Sequence, residues 1–115
     1  MKTHKEMKEA YKLYKSKKGV YQIRNMLNGK IFVGSSTDLK AIWNRNKVQL
    51  NFGNHPNEEL QKDWKELGEE AFEYEILSEI KEEEKEINFK KEVKALEELY
   101  IEELQPFKEK GYNKK

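Results

Sequence analysis

Glu97 is the carboxylate whose neighbours set it apart. On a helix its face would carry Val93, Tyr100 and Ile101 at i−4, i+3 and i+4, unlike the faces of Glu98, Glu102 and Glu103. A carboxylate held among apolar side chains needs a partner. That partner is either an ion or a basic residue at the rim of a core. Histidine offers no metal site, because the chain holds only His4 and His55, far apart in sequence. The lack of cysteine excludes disulfides and any thiolate zinc site. The basic residues are unevenly placed: residues 1–50 carry a net +9 and residues 51–115 a net −8. A basic N-terminal half can hold phosphates, or the two halves can simply attract each other or face water.

These residues need a scaffold, and the sequence outlines one. Met7, Ala10, Tyr11 and Tyr14 share a helical face, so residues 3–15 read as a short basic amphipathic helix. Gly19 breaks that pattern. Val20 to Arg24 and Lys30 to Val33 read as strands joined at Asn28-Gly29, a dipeptide that accepts positive φ. Tyr21 would then sit mid-strand, as an ordinary core tyrosine also would. Ser36 or Thr37 can cap a helix from about Asp38 to Leu50, with Leu39, Ile42, Trp43 and Leu50 on its inner face. Gly53, Asn54 and Pro56 mark a turn. Leu60, Trp64 and Leu67 give a second helix that Gly68 is placed to end. Residues 71–77 alternate as a third strand, with Phe72, Tyr74 and Ile76 on one face. Residues 81–104 predict one long helix with Val93, Leu96, Tyr100 and Leu104 inward, and the acid run Glu82 to Glu84 reads as a solvated face.

Three strands cannot stand alone, so the expected class is α+β: a three-stranded antiparallel sheet flanked by helices, with an N-terminal helix and a long C-terminal helix. The division expected is a basic helix over 1–18 and one domain over 19–115. With 115 residues, 36% hydrophobic and 39% charged, the core must be small and the helices heavily solvated. No apolar run approaches the roughly 20 residues of a membrane span. A cytoplasmic protein is expected; oligomeric state is not legible.

Gly19-Val20-Tyr21 and Phe32-Val33-Gly34 resemble the two tripeptides that name the GIY-YIG nuclease family. The stretch GVYQIRNMLNGKIFVGSSTDL, residues 19–39, is similar to the opening of phage intron homing endonucleases. The likeness runs on through Trp43, Leu50, Gly53, His55, Leu60-Gln61, Gly68, Phe72-Glu73, Ile76-Leu77, Glu97, Ile101 to Leu104 and Gly111-Tyr112-Asn113. It implies metal-dependent hydrolysis of nucleic-acid phosphodiesters, DNA being the expected partner. Tyr21 would activate the attacking water. Glu97 would hold Mg²⁺ or another divalent cation, which prefers one or two carboxylates and keeps its other positions for water and phosphate. Asn113 would hydrogen bond beside the site or pin the chain end. His55 would lie on a surface turn or touch phosphate.

Three positions depart from the family pattern. Phe32 stands where the second motif has tyrosine, so the ring is kept and the hydroxyl lost. Ile42 stands where the resemblance places the catalytic arginine, and Asn46, one turn on, where close relatives often have histidine. Arg45 is a candidate to reach over in place of the arginine, and Lys40 and Lys47 lie further round the helix as phosphate contacts. The reading is an endonuclease-like chain whose activity is weakened or lost. The alternatives are a nucleic-acid-binding module that no longer cleaves, and a protein-interaction module using the acidic helix. Phosphate-led binding is expected to weaken steeply as salt rises from about 50 to about 200 mM. A fluorescence titration with duplex DNA checks this, and salt-independent affinity would remove the basic face from the account.

Overall fold

Asn28-Gly29 closes the hairpin that starts the fold. In the computed structural model, which describes residues 17–80 and 89–114, Gly29 takes φ 80° and the Asn28 side chain accepts the Lys30 N–H. The hairpin joins β1 (Lys18–Asn25) to β2 (Ile31–Ser36). Helices α1 (Leu39–Phe52) and α2 (Glu58–Leu67) follow, then β3 (Phe72–Ile80) and α3 (Phe89–Leu104). Short 3₁₀ turns at Glu69–Ala71 and Lys108–Lys110 complete the described elements. The sheet is antiparallel in the order β2-β1-β3, so the expected α+β architecture holds. The expected N-terminal helix and the acid run Glu82 to Glu84 lie outside the described residues, and the described part of the long helix begins at Phe89.

Helix ends follow local chemistry. Asp38 caps α1 by accepting the Ala41 N–H, whereas Ser36 or Thr37 was expected to do so; Ser36 instead accepts the Asp38 N–H. Gly53 ends α1 in the left-handed region. Asn57 caps α2 through the Leu60 N–H, and Gly68 closes it on the Trp64 carbonyl.

Central strand β1 is buried on both faces. Tyr21 and Ile23 point to the side covered by α1 and α2, where they pack with Leu39, Leu50, Leu60, Trp64, Phe72 and Tyr112. Val20, on the other face, is fully buried, as is Val33 of β2, and α3 packs against both strands with Val93 buried. The expected inner face of β3 holds only in part. Phe72 is buried and Tyr74 packs on the core, but Ile76 is 45% exposed. A register shift between Val20 and Tyr21 breaks the pairing with β3 at this point.

β2 is an edge strand, and the chain's end covers it. The Tyr112 N–H bonds the Ile31 carbonyl in a parallel bridge between Ile31 and Gly111. Gly111 is required there: a Cβ would lie 2.4 Å from the Pro106 carbonyl oxygen and 2.5 Å from that of Ile31. Asn113 continues the pairing with its side chain. Its Oδ1 accepts the Val33 N–H at 2.8 Å and its Nδ2 donates to the Val33 carbonyl at 2.9 Å. Edge groups that would otherwise meet another chain are thereby satisfied. Asn113→Ala leaves both without a partner and is expected to cost about 1–3 kcal/mol in urea unfolding. A loss below about 0.5 kcal/mol would mean that water serves Val33 as well as the carboxamide does.

Candidate active site

Tyr21 stands at the centre of the sheet, 4% exposed, opposite Gly34 of β2. A Cβ on Gly34 would lie 2.5 Å from the Tyr21 hydroxyl oxygen and 2.6 Å from Cζ, so the ring lies across the glycine. The two motifs therefore meet as a ring and the gap that receives it. Tyr74 packs on the same side, 5.4 Å from the Tyr21 ring, and stacks on Trp43 at 4.8 Å. Its hydroxyl donates to the Leu39 carbonyl at 2.6 Å, which ties β3 to the first turn of α1.

A chain of hydrogen bonds leads away from Tyr21, and two backbone groups fix its direction. The Asn46 Nδ2 must donate to the Ile42 carbonyl, 2.8 Å away, and it also donates to the Tyr21 hydroxyl at 3.4 Å. The Asn46 Oδ1 is then the acceptor for His55 Nε2 at 2.6 Å. At the other end the Asn57 N–H donates to His55 Nδ1 at 3.0 Å, so the neutral imidazole carries its hydrogen on Nε2. Gln61 holds the turn, accepting the His55 N–H and donating to the Leu50 carbonyl. His55 is thus 7% exposed, and the surface turn expected from the sequence is corrected: the imidazole is an interior group with both nitrogens engaged.

Ile42 is half-buried and packs against the core cluster, as its periodicity predicts. Arg45 and Lys40 are exposed on α1, and Lys47 places its ammonium 5.2 Å over the Trp43 ring. Phe32 meets the edge of His55 at 5.8 Å. Both border an open hollow of about 280 Å³ with Pro56, Asn57, Asn113 and Lys114.

Glu97 is the inward carboxylate that the sequence indicates. Its side chain is 12% exposed, and its Oε2 lies 2.8 Å from the Lys94 Nζ, which holds the lysine above its ordinary pKa. Burial pushes the Tyr21 phenol up and the charge of Glu97 adds to this, while the Asn46 hydrogen bond works the other way. No set of three or more Asp, Glu, His or Cys gathers as a metal cage among the described residues. One hard-oxygen donor suits a cation of the magnesium type, which keeps water and phosphate in its other positions. Lys94, Asn57 and Gln61 were not singled out from the sequence. Lys94 carries a signal there, being three residues before Glu97; Asn57 lies in a turn without periodicity, and Gln61, on α2, enters only as part of the likeness.

Burial holds the His55 imidazole below its ordinary 6.5. A proton on Nδ1 would face the Asn57 N–H. The unfolded chain takes up that proton at about pH 6.5 and the folded chain only at lower pH, so stability is full above 6.5 and drains away as pH falls below it. Melting curves between about pH 7 and about pH 5 are expected to fall more steeply for the natural chain than for His55→Gln. Parallel curves would show that this imidazole is not held neutral.

With this geometry in view, residues 17–113 match the family described as the GIY-YIG catalytic domain. Intron-associated endonuclease 1 of Enterobacteria phage T4 is 42% identical over 64 residues, 56% of this chain and 26% of that protein, so the chain spans about a quarter of that relative's length. A solved variant of the catalytic domain of intron endonuclease I-TevI aligns with a TM-score of 0.70 and 37% identity, covering 84% of this chain and 92% of that one. Another structure, of the catalytic domain of homing endonuclease I-TevI, aligns at 0.69 and 36%, covering 84% and 96%. The chain belongs to the GIY-YIG family of nuclease domains.

Proposed function

We propose that this chain hydrolyses DNA phosphodiester bonds with the help of a divalent cation, at a rate lowered by the loss of the family's arginine. The observation that carries the reading is the hold on Tyr21: its hydroxyl is fixed by Asn46 within the field of an inward carboxylate, Glu97. Tyr21 receives a hydrogen bond from Asn46 and keeps its own proton for a second partner. With that proton it can hydrogen bond a water beside a phosphate and so orient it for attack. Glu97 is the residue that would hold the cation, which would supply charge neutralisation to phosphate oxygens. Neutralising Glu97 also removes one of the two influences that hold the Tyr21 phenol up. Asn46 orients the phenol but cannot itself shuttle a proton near neutral pH.

Lys40, Arg45 and Lys47 on α1 are read as contacts to backbone phosphates, which position a duplex without reading its bases. The whole activity of the phage endonuclease, a much longer protein, does not transfer with the domain. A second reading, binding without cleavage, is favoured by one observation: Ile42 packs on the core and offers the phosphate neither charge nor hydrogen bond.

Nicking of supercoiled plasmid with Mg²⁺ or Mn²⁺ separates the two readings. The natural chain is expected to nick, and Tyr21→Phe and Glu97→Ala, prepared identically, to lose about 10²-fold or more. Equal traces from all three proteins, alongside retained DNA binding, would sink hydrolysis and leave the binding module.

A further inference from the structure

The site has lost a cation at Ile42, and the structure shows another one paired with Glu97. Lys94 stands one turn before Glu97 on α3, with its ammonium 2.8 Å from the carboxylate. The two partners are unequally placed. Glu97 is 12% exposed and Lys94 67%, so the carboxylate points inward and the lysine lies across it from the solvent side. An ordinary surface pair at this spacing has both groups in water. Outward of it, Lys90, Lys91 and Lys94 line an open hollow of about 550 Å³ with Ala95 and Glu98. That hollow gives the lysine stem room to move. Arg45, in contrast, is exposed on α1.

We propose that Lys94 is the cation of this site: it neutralises Glu97 when the site is empty, and moves to a phosphate oxygen when a divalent cation takes the carboxylate. This rests on the hydrolytic reading of the same site. No bond is made or broken by the lysine and its proton count is unchanged; it exchanges one anionic oxygen for another. The exchange is easy because a lysine so exposed holds a carboxylate only weakly, and because four methylenes let the ammonium travel while the backbone stays still. The role is electrostatic, opposing charge that builds on phosphate oxygens in the transition state.

The test uses Lys94→Met, similar in length and uncharged, and Lys94→Arg, both in the full chain. Mn²⁺ binding without DNA is read from the loss of the free-ion electron paramagnetic resonance signal. Plasmid nicking is read at saturating Mn²⁺. Lys94→Met is expected to bind Mn²⁺ about two- to five-fold more tightly, because its competitor is gone. It is expected to nick about 10²-fold more slowly, with Lys94→Arg recovering most of that loss. Unchanged Mn²⁺ affinity in Lys94→Met would overturn the proposal, as would unchanged nicking at saturation. Should the natural chain nick nothing, the hydrolytic reading fails on its own account. The Mn²⁺ comparison then decides alone: tighter binding keeps Lys94 as the counter-ion of Glu97, and equal binding removes it.

Discussion

A phenol hydroxyl buried at the centre of a sheet must be hydrogen bonded, and this demand organises much of the molecule. Tyr21 meets it through Asn46, Asn46 through His55, and His55 through the Asn57 backbone. Asn57 does more than end the chain of bonds. Its Oδ1 caps α2, and its Nδ2 donates to the Tyr112 carbonyl at 2.6 Å. Tyr112 in turn accepts from Asn25 and donates to Asp63, which locks the end of β1 to α2. The tail bound here is the one that covers β2, the strand whose Gly34 receives the Tyr21 ring. A perturbation at the turn is therefore felt at the phenol, at a helix cap and at the sheet edge together.

The same geometry explains how asparagine serves at position 46. Asn46 has one acceptor and one donating group, and both are used, the donor toward Ile42 and Tyr21 and the acceptor toward His55. The carboxamide thus passes orientation from an imidazole to a phenol without passing a proton. What it cannot supply is charge. Ile42 supplies none either, and the charge of Glu97 adds to burial in holding the phenol from ionising.

Much of the scaffold was legible because it follows local rules. Gly29, Gly53 and Gly68 sit where the backbone needs positive φ, and Leu60 and Trp64 point inward at helical spacing. The inward setting of Glu97 was legible too, from the apolar residues around it. Ile76 was misjudged because alternation assumes that helices cover a strand to its end. His55 was misjudged for a different reason: a turn has no period, so nothing in Gly53 to Asn57 separates a buried imidazole from an exposed one. The cap went to Asp38 over Ser36 because both are good acceptors within one turn, and their order depends on where the backbone leaves β2.

In the role proposed for it, Lys94 would spread the site's chemistry over the sequence in a way that no single motif records. A lysine three residues before a glutamate is among the commonest patterns on any helix, and its meaning changes only when the glutamate is known to face inward. Arginine and lysine are not equivalent in such a role. Arginine offers a planar fork that can grip two phosphate oxygens at once, whereas lysine is a compact, strongly hydrated charge on a flexible stem. A lysine arriving from α3 can therefore neutralise charge without fixing the phosphate's orientation. Orientation is then left to the rigid parts of the site, the Tyr21 ring lodged over Gly34 and the carboxylate of Glu97. A site arranged in this way would keep the electrostatic part of phosphodiester hydrolysis and give up part of its positioning, the combination expected to lower a rate without abolishing it.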